Sequence, residues 1–213
     1  MRLGIFGGTF NPIHTGHLRA AEEVRYKCIL DRVIFMPSGS PPLKTSGLAG
    51  AVHREAMTRL AVRSNAHFDV SDMEMRDGDK SYTVRTVEKL RAVYPGEELF
   101  FIMGLDAFLD LPKWREPERI ISGIDFIVMT RPGSGSDDMR ESPYVEAIRP
   151  DRHTGISVCE LKGGKNAYRV QVTAFDISST AIRQLVSESM SIRYLLPDTV
   201  EEYIEANKLY QCQ

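Results

Sequence analysis

Hydrophobic and polar positions alternate along this chain in a way that predicts strands and helices in turn. Leu3 to Phe6 is a short apolar run, read as a buried strand. From about Gly16 to Leu30 the apolar residues Leu18, Ala20, Ala21 and Val24 recur among charged ones at helical spacing. Arg32–Met36 predicts a second strand that stops at Pro37, and Val52–Val62 a second helix. Phe68–Met75 alternates apolar with acidic or polar residues and reads as a strand nearer a sheet edge. A helix capped by Ser81 or Thr83 runs to Val93 and ends at Pro95-Gly96.

Leu99–Met103 is the most hydrophobic run, which predicts a central strand buried on both faces. A short helical piece with Phe108 and Leu109 follows, then Pro112-Lys113-Trp114, a helix around Glu118–Ile121 and a strand over Asp125–Met129. Residues 133 to 155 are polar and read as an irregular surface insertion with one short helix. Ile156–Leu161 and Ala167–Ala174 form a hairpin about Lys162–Asn166, and further helices start at Ser178 and after Pro197-Asp198. The repeated β–α order predicts an α/β fold with a doubly wound, mostly parallel sheet. One domain over 1–213 is expected, with 133–166 as insertion plus hairpin and 177–213 as a C-terminal helical segment.

Composition narrows the function classes. With 213 residues, 42% hydrophobic and 26% charged, the chain has the make-up of an ordinary globular protein. Lys+Arg of 27 against Asp+Glu of 29 gives a net charge of -2, which argues against bulk nucleic-acid or membrane-surface binding. The first strand begins so early that no cleaved signal peptide is expected, and no apolar run is long enough for a bilayer. Cys28, Cys159 and Cys212 are few and widely spaced, which fits a reduced cytoplasm and gives no zinc pattern.

The candidate chemistry starts in RLGIFGGTFNPIHTGH, where Gly7-Gly8-Thr9-Phe10 follows the first strand and His14 and His17 stand around Gly16 at the mouth of the first helix. Strand, glycine turn and helix start in that order make an anion site. The turn fits neither GxGxxG nor GxxxxGK[ST], and no HExxH occurs, so dinucleotide, P-loop and zinc readings give way to phosphate contact by the two imidazoles. Lys44 ends a loop rich in Gly, Pro and Ser (SGSPPLK), which reads as a mobile active-site loop. Ile177-Ser178-Ser179-Thr180 and Arg183 put three hydroxyls and a guanidinium at another helix start. Trp114, the sole tryptophan, lies among Pro112, Lys113, Arg115 and Glu116, which suits an aromatic face on a semi-exposed loop.

GGTFNPIHTGH together with ISSTAIR resembles the HxGH nucleotidyltransferase superfamily. Ser81-Tyr82-Thr83, Gly104-Leu105-Asp106 and Leu111-Pro112-Lys113-Trp114 narrow the resemblance to the bacterial nicotinate-mononucleotide adenylyltransferases. It implies a Rossmann-like nucleotidyltransferase fold, ATP and nicotinate mononucleotide as substrates, and Mg²⁺ carried with the ATP. By the same resemblance His14, His17, Lys44 and Arg183 act on the phosphates. Gly7, Gly8, Thr9, Phe10, Gly104, Asp106, Ile177, Ser178 and Ser179 complete the ATP site, and Tyr82, Thr83 and Trp114 hold the mononucleotide. No protein metal ligand is implied, and self-association stays open. Two positions depart from the pattern: Leu43 stands where a histidine usually precedes the lysine, and Arg85 where an acidic residue is common. The alternatives are another phosphorylated acceptor (phosphopantetheine or nicotinamide mononucleotide) or a non-catalytic nucleotide sensor.

Overall fold

The computed structural model describes residues 1–41, 47–75, 80–132, 139–150 and 156–211. Strands β1 (Arg2–Gly8), β2 (Arg32–Pro37), β3 (Phe68–Val70), β4 (Glu98–Gly104) and β5 (Asp125–Thr130) alternate with helices α1 (Thr15–Lys27), α2 (Ala51–Val62), α3 (Thr83–Val93), α4 (Leu105–Leu109) and α5 (Pro117–Gly123). Strands β6 (Val145–Pro150), β7 (Ser157–Leu161) and β8 (Asn166–Gln171) follow, then α6 (Ser179–Ser187) and α7 (Asp198–Ala206).

The eight strands among the described residues share one sheet in the order β3-β2-β1-β4-β5-β8-β7-β6. The pairs from β3 through β8 are parallel, and β7 runs antiparallel to both β8 and β6. Side chains on successive strand residues point to opposite faces, and the buried residues divide accordingly. Phe6, Phe35, Phe100 and Ile102 pack with α1, α2, α6 and α7 through Val24, Met57, Ile182 and Ile204. Ile5, Ile34, Phe101 and Met103 pack with α3, α4 and α5 through Val87, Phe108 and Ile120. This is the doubly wound architecture expected, and β4 lies inside the sheet with both faces covered.

The order reverses between β1 and β4, since β2 and β3 extend one way and β5 the other. At such a switch point the loops leaving the strands diverge and open a crevice at their carboxyl ends.

Two stretches differ from the sequence reading. The strand expected over Phe68–Met75 keeps only its first three residues, because the chain turns at Asp72–Met75, where the Met75 N–H donates to the Asp72 carbonyl at 2.8 Å. Within 133–155, read as irregular, the described residues hold a 3-10 turn at Met139–Glu141 and strand β6. Charged residues interrupt VEAIRP, and edge pairing to β7 supplies the order that its own pattern does not announce. Among the described residues no helix is long and apolar enough to cross a membrane.

Candidate active site

A cleft of about 1120 Å³ opens at the carboxyl ends of β1, β4 and β5. Thr9, Phe10, Asn11, His14 and His17 line it from the turn after β1 and the start of α1. Gly104, Leu105 and Asp106 line it from the β4–α4 junction, Thr130 and Arg131 from the end of β5, and Ile177, Ser178, Ser179, Thr180 and Arg183 from the start of α6. The two motifs at opposite ends of the sequence therefore share one wall-to-wall space.

Hydrogen bonds fasten them together. Ser179 Oγ donates to the Pro12 carbonyl at 2.8 Å, and Arg183 Nη1 donates to the Asn11 carbonyl at 2.8 Å. The Thr15 N–H donates to the Leu195 carbonyl at 3.0 Å, and the Tyr210 hydroxyl to Asn11 Oδ1 at 2.8 Å. The three hydroxyls at α6 divide their work. Ser178 is the N-cap, accepting from the Ala181 N–H at 3.1 Å; Ser179 holds the Pro12 turn; Thr180 Oγ1 accepts from Arg183 at 3.3 Å. Capping and tethering thus account for more of this motif than the sequence suggests, while Ser178 and Thr180 stay exposed at the cleft.

The two imidazoles stack at a tilt of 32°, with ring centroids 3.7 Å apart. His14 precedes the first turn of α1, and its N–H donates to His17 Nδ1 at 3.3 Å, so each ring's place depends on the other residue. Phe10, buried in the core, packs edge-on against His17 at 5.2 Å. Gly16 permits the stack, because a Cβ there would stand 3.1 Å from His14 Nδ1. Gly7 and Gly8 leave room for aromatic side chains. A Cβ on Gly8 would meet the Phe10 ring at 2.8 Å and one on Gly7 the Phe101 ring at 2.9 Å, and neither residue lines the cleft.

Burial, with the Arg131 charge second, pushes the His14 pKa down to about 4. The ring is therefore neutral at physiological pH. His14 Nδ1 and Thr130 Oγ1 are buried without a hydrogen-bond partner among the described residues, and both residues line the cleft. An unfolded chain takes up a proton at the ordinary histidine value near 6.5, whereas folded His14 resists until about pH 4. Below about pH 6.5 the unfolded state binds more protons, so stability falls as pH drops toward 4, by about 1.4 kcal/mol per unit of pKa difference. Urea midpoints at pH 7 and 4.5 will show this loss in the wild type and a smaller one in His14→Asn. Equal losses in both would remove His14 as its source.

Among the described residues that line the cleft, the cationic side chains are Arg131 and Arg183 and the carboxylate is Asp106. Asp106 lies in the first turn of α4, and Gly104 makes room for it, since a Cβ on Gly104 would stand 2.6 Å from Asp106 Oδ1. Among the described residues no group of three His, Cys, Asp or Glu is arranged to hold a metal. Lys44 and Leu43 lie outside the described residues.

Tyr82, Thr83 and Trp114 are not part of this cleft lining. They form a neighbouring group instead. Tyr82 precedes α3, Thr83 begins it, and Trp114 ends the 3-10 turn Leu111–Lys113. The Arg115 guanidinium stands 4.9 Å over the Tyr82 ring and joins the two segments, while Tyr82 and Trp114, both half-buried, pack against the second core. Helix α4 connects the two places, because Leu105 and Leu109 line the cleft and the Trp114 turn follows directly. Arg85 is exposed on α3.

Sequence reasoning missed Asn11, Arg131 and Thr130. Arg131 was visible as the charged residue ending an apolar strand, a position that doubly wound folds turn toward ligands.

The family model for cytidylyltransferase-like proteins matches residues 5–185. A relative from Desulfatibacillum aliphaticivorans, named "Probable nicotinate-nucleotide adenylyltransferase", is 46% identical over 99% of this chain and 100% of its own. One of the same name from Geotalea daltonii is 44% identical over 99% and 98%. Among solved structures, the Plasmodium falciparum nicotinic acid mononucleotide adenylyltransferase complexed with NaAD has a similar fold, with a TM-score of 0.75 at 17% identity over 98% of this chain and 97% of that one.

Proposed function

The chain belongs to the cytidylyltransferase-like family, and from that premise we propose that it transfers the adenylyl group of ATP to nicotinate mononucleotide, a step of NAD biosynthesis. The products are nicotinate adenine dinucleotide and pyrophosphate. We read 1–213 as one nucleotidyltransferase unit working in the cytoplasm. The observation that carries the reading is the fastening of the His14–His17 turn to the Ser179–Arg183 helix start over a single cleft.

The 5′-phosphate of the mononucleotide is largely ionised near neutral pH, since the second pKa of a phosphate monoester is about 6. Its oxygen attacks the α-phosphorus of ATP and pyrophosphate leaves, so no general base has to be recruited. The protein's task is to hold two polyanions in line and to stabilise charge that grows on the α- and β-phosphates. His14 and His17 donate to the phosphate oxygens from one wall, and Arg183 with Ser178 faces them from the other. Lys44, at the end of the Pro-rich loop, adds a further cation. Gly7, Gly8, Thr9, Phe10, Gly104, Asp106, Ile177 and Ser179 shape the ATP site around them. Mg²⁺ carried with the ATP would be held by phosphate oxygens and water and would offset the triphosphate charge, in keeping with Asp106 as the one carboxylate among the described residues that line the cleft. Thr83 and Tyr82 orient the mononucleotide, and Trp114 stacks on its electron-poor pyridine ring.

Pyrophosphate release with ATP and a panel of acceptors tests the reading: nicotinate mononucleotide, nicotinamide mononucleotide and phosphopantetheine. The acid mononucleotide is expected to be turned over fastest, and a higher rate with phosphopantetheine would overturn the assignment. In Trp114→Ala the KM for the mononucleotide rises at least about tenfold, the scale of losing one aromatic contact, while the KM for ATP stays put.

A further inference from the structure

Arg54 is 1% exposed, and among the described residues no carboxylate pairs with it. Its guanidinium donates instead to three backbone carbonyls: Nε to Ala49 at 3.1 Å, Nη1 to Thr9 at 2.9 Å and Nη2 to Gly39 at 2.9 Å. Those carbonyls come from the turn after β1 and from the two flanks of the Pro-rich loop, on either side of Lys44. A buried charge without an anion is unfavourable unless hydrogen bonds satisfy it. A planar fork of donors meets three converging carbonyls in a way that a lysine ammonium does not.

Each of these bonds also orients a peptide plane. The peptide unit is planar and trans, so fixing the Thr9 carbonyl fixes the direction of the N–H of Phe10, whose side chain lines the cleft. Fixing the Gly39 carbonyl likewise matches the Ser40 N–H, which donates to Ser81 Oγ at 3.3 Å. Asn11 completes the arrangement from the other side. Its amide donates to the Gly47 carbonyl at 2.8 Å, and its Oδ1 accepts from the Ala49 N–H at 3.0 Å and from the Tyr210 hydroxyl.

We infer that Arg54 is a positioning residue of the triphosphate site: it locks both flanks of the Pro-rich loop to the turn that carries Thr9 and Phe10. The inference rests on reading the cleft as the ATP site, and it does not depend on which acceptor is used. Arg54→Lys keeps the charge without the fork, and Arg54→Met keeps the bulk without either. In both, the KM for ATP is expected to rise at least about tenfold, as misplaced contacts do, with the mononucleotide KM within about twofold of wild type. Lysine should recover the thermal midpoint more than it recovers the KM. A purely structural role would lower the midpoint and leave the KM for ATP of the folded fraction unchanged, and that result in Arg54→Lys overturns the inference. Should neither Arg54 variant fold, Tyr210→Phe decides, since it removes one hydroxyl at unchanged ring volume. It raises the KM for ATP about threefold, the effect of one neutral hydrogen bond, and no change overturns the network. Calorimetric affinity for a non-hydrolysable ATP analogue gives the same comparison without an acceptor. A wild type that binds the analogue but makes no nicotinate dinucleotide therefore counts against the acceptor alone.

Discussion

Replacing His17 with alanine lowers turnover at least about a hundredfold, the scale of losing one donor to a developing oxyanion, while the protein still folds. The ring is half-buried and held on three sides: by the His14 stack at 3.7 Å, by Phe10 at 5.2 Å and by the His14 N–H at 3.3 Å. Alanine removes the donor proposed for the phosphates and also the acceptor that closes the first turn of α1. The second loss resembles removal of a helix cap, about 1 kcal/mol, which a core of this size tolerates. Single-turnover formation of the dinucleotide, beside a thermal melt, separates the two effects. Turnover within about threefold of wild type would sink the role given to His17.

Arg183→Ala has an effect of similar size by a different route. The guanidinium lines the cleft and donates to the Asn11 carbonyl, so alanine takes away both a cleft cation, proposed to face the triphosphate, and a tether on the loop. Catalytic efficiency toward ATP should fall about a hundredfold, the range of losing a charged group that stabilises the transition state. Stability should fall by about 1.5–3 kcal/mol, as for a hydrogen bond made by a charged group. Ser179→Ala is the control, because it removes the Pro12 tether and leaves the charge in place. If Ser179→Ala reduces efficiency as much as Arg183→Ala does, Arg183 acts by tethering and its charge is not needed.

The alternation of strands and helices was legible because period 2 and period 3.6 patterns are local. So were the phosphate motifs, since a glycine turn before a helix and a hydroxyl cluster at another helix start carry their chemistry in consecutive residues. Strand β6 was not legible, because its order comes from pairing with β7 and not from its own alternation. Arg54 sits between His53 and Glu55 in a helix and looks solvated in sequence; three carbonyls from two loops converge on it only in the folded chain. Asn11 and Tyr210 meet across 199 positions of sequence, a contact that no local pattern encodes. The division of the hydroxyls at α6 was hidden for the same reason, since Pro12 and Asn11 lie more than 160 residues away. Local patterns thus announce which residues carry charge and hydroxyls, while the carbonyls that hold them in place emerge only from the packed loops.

The fastening of residues 11–15 to residues 179–210 also bears on how the protein is made. A chain emerging from the ribosome has produced every strand of the sheet by Gln171, yet at that stage it lacks Ser179, Arg183, Leu195 and Tyr210. A product that stops at Gln171 therefore has every described strand and none of the groups that fasten residues 11–15. The order in which residues are made therefore puts the sheet before the groups that brace its nucleotide cleft.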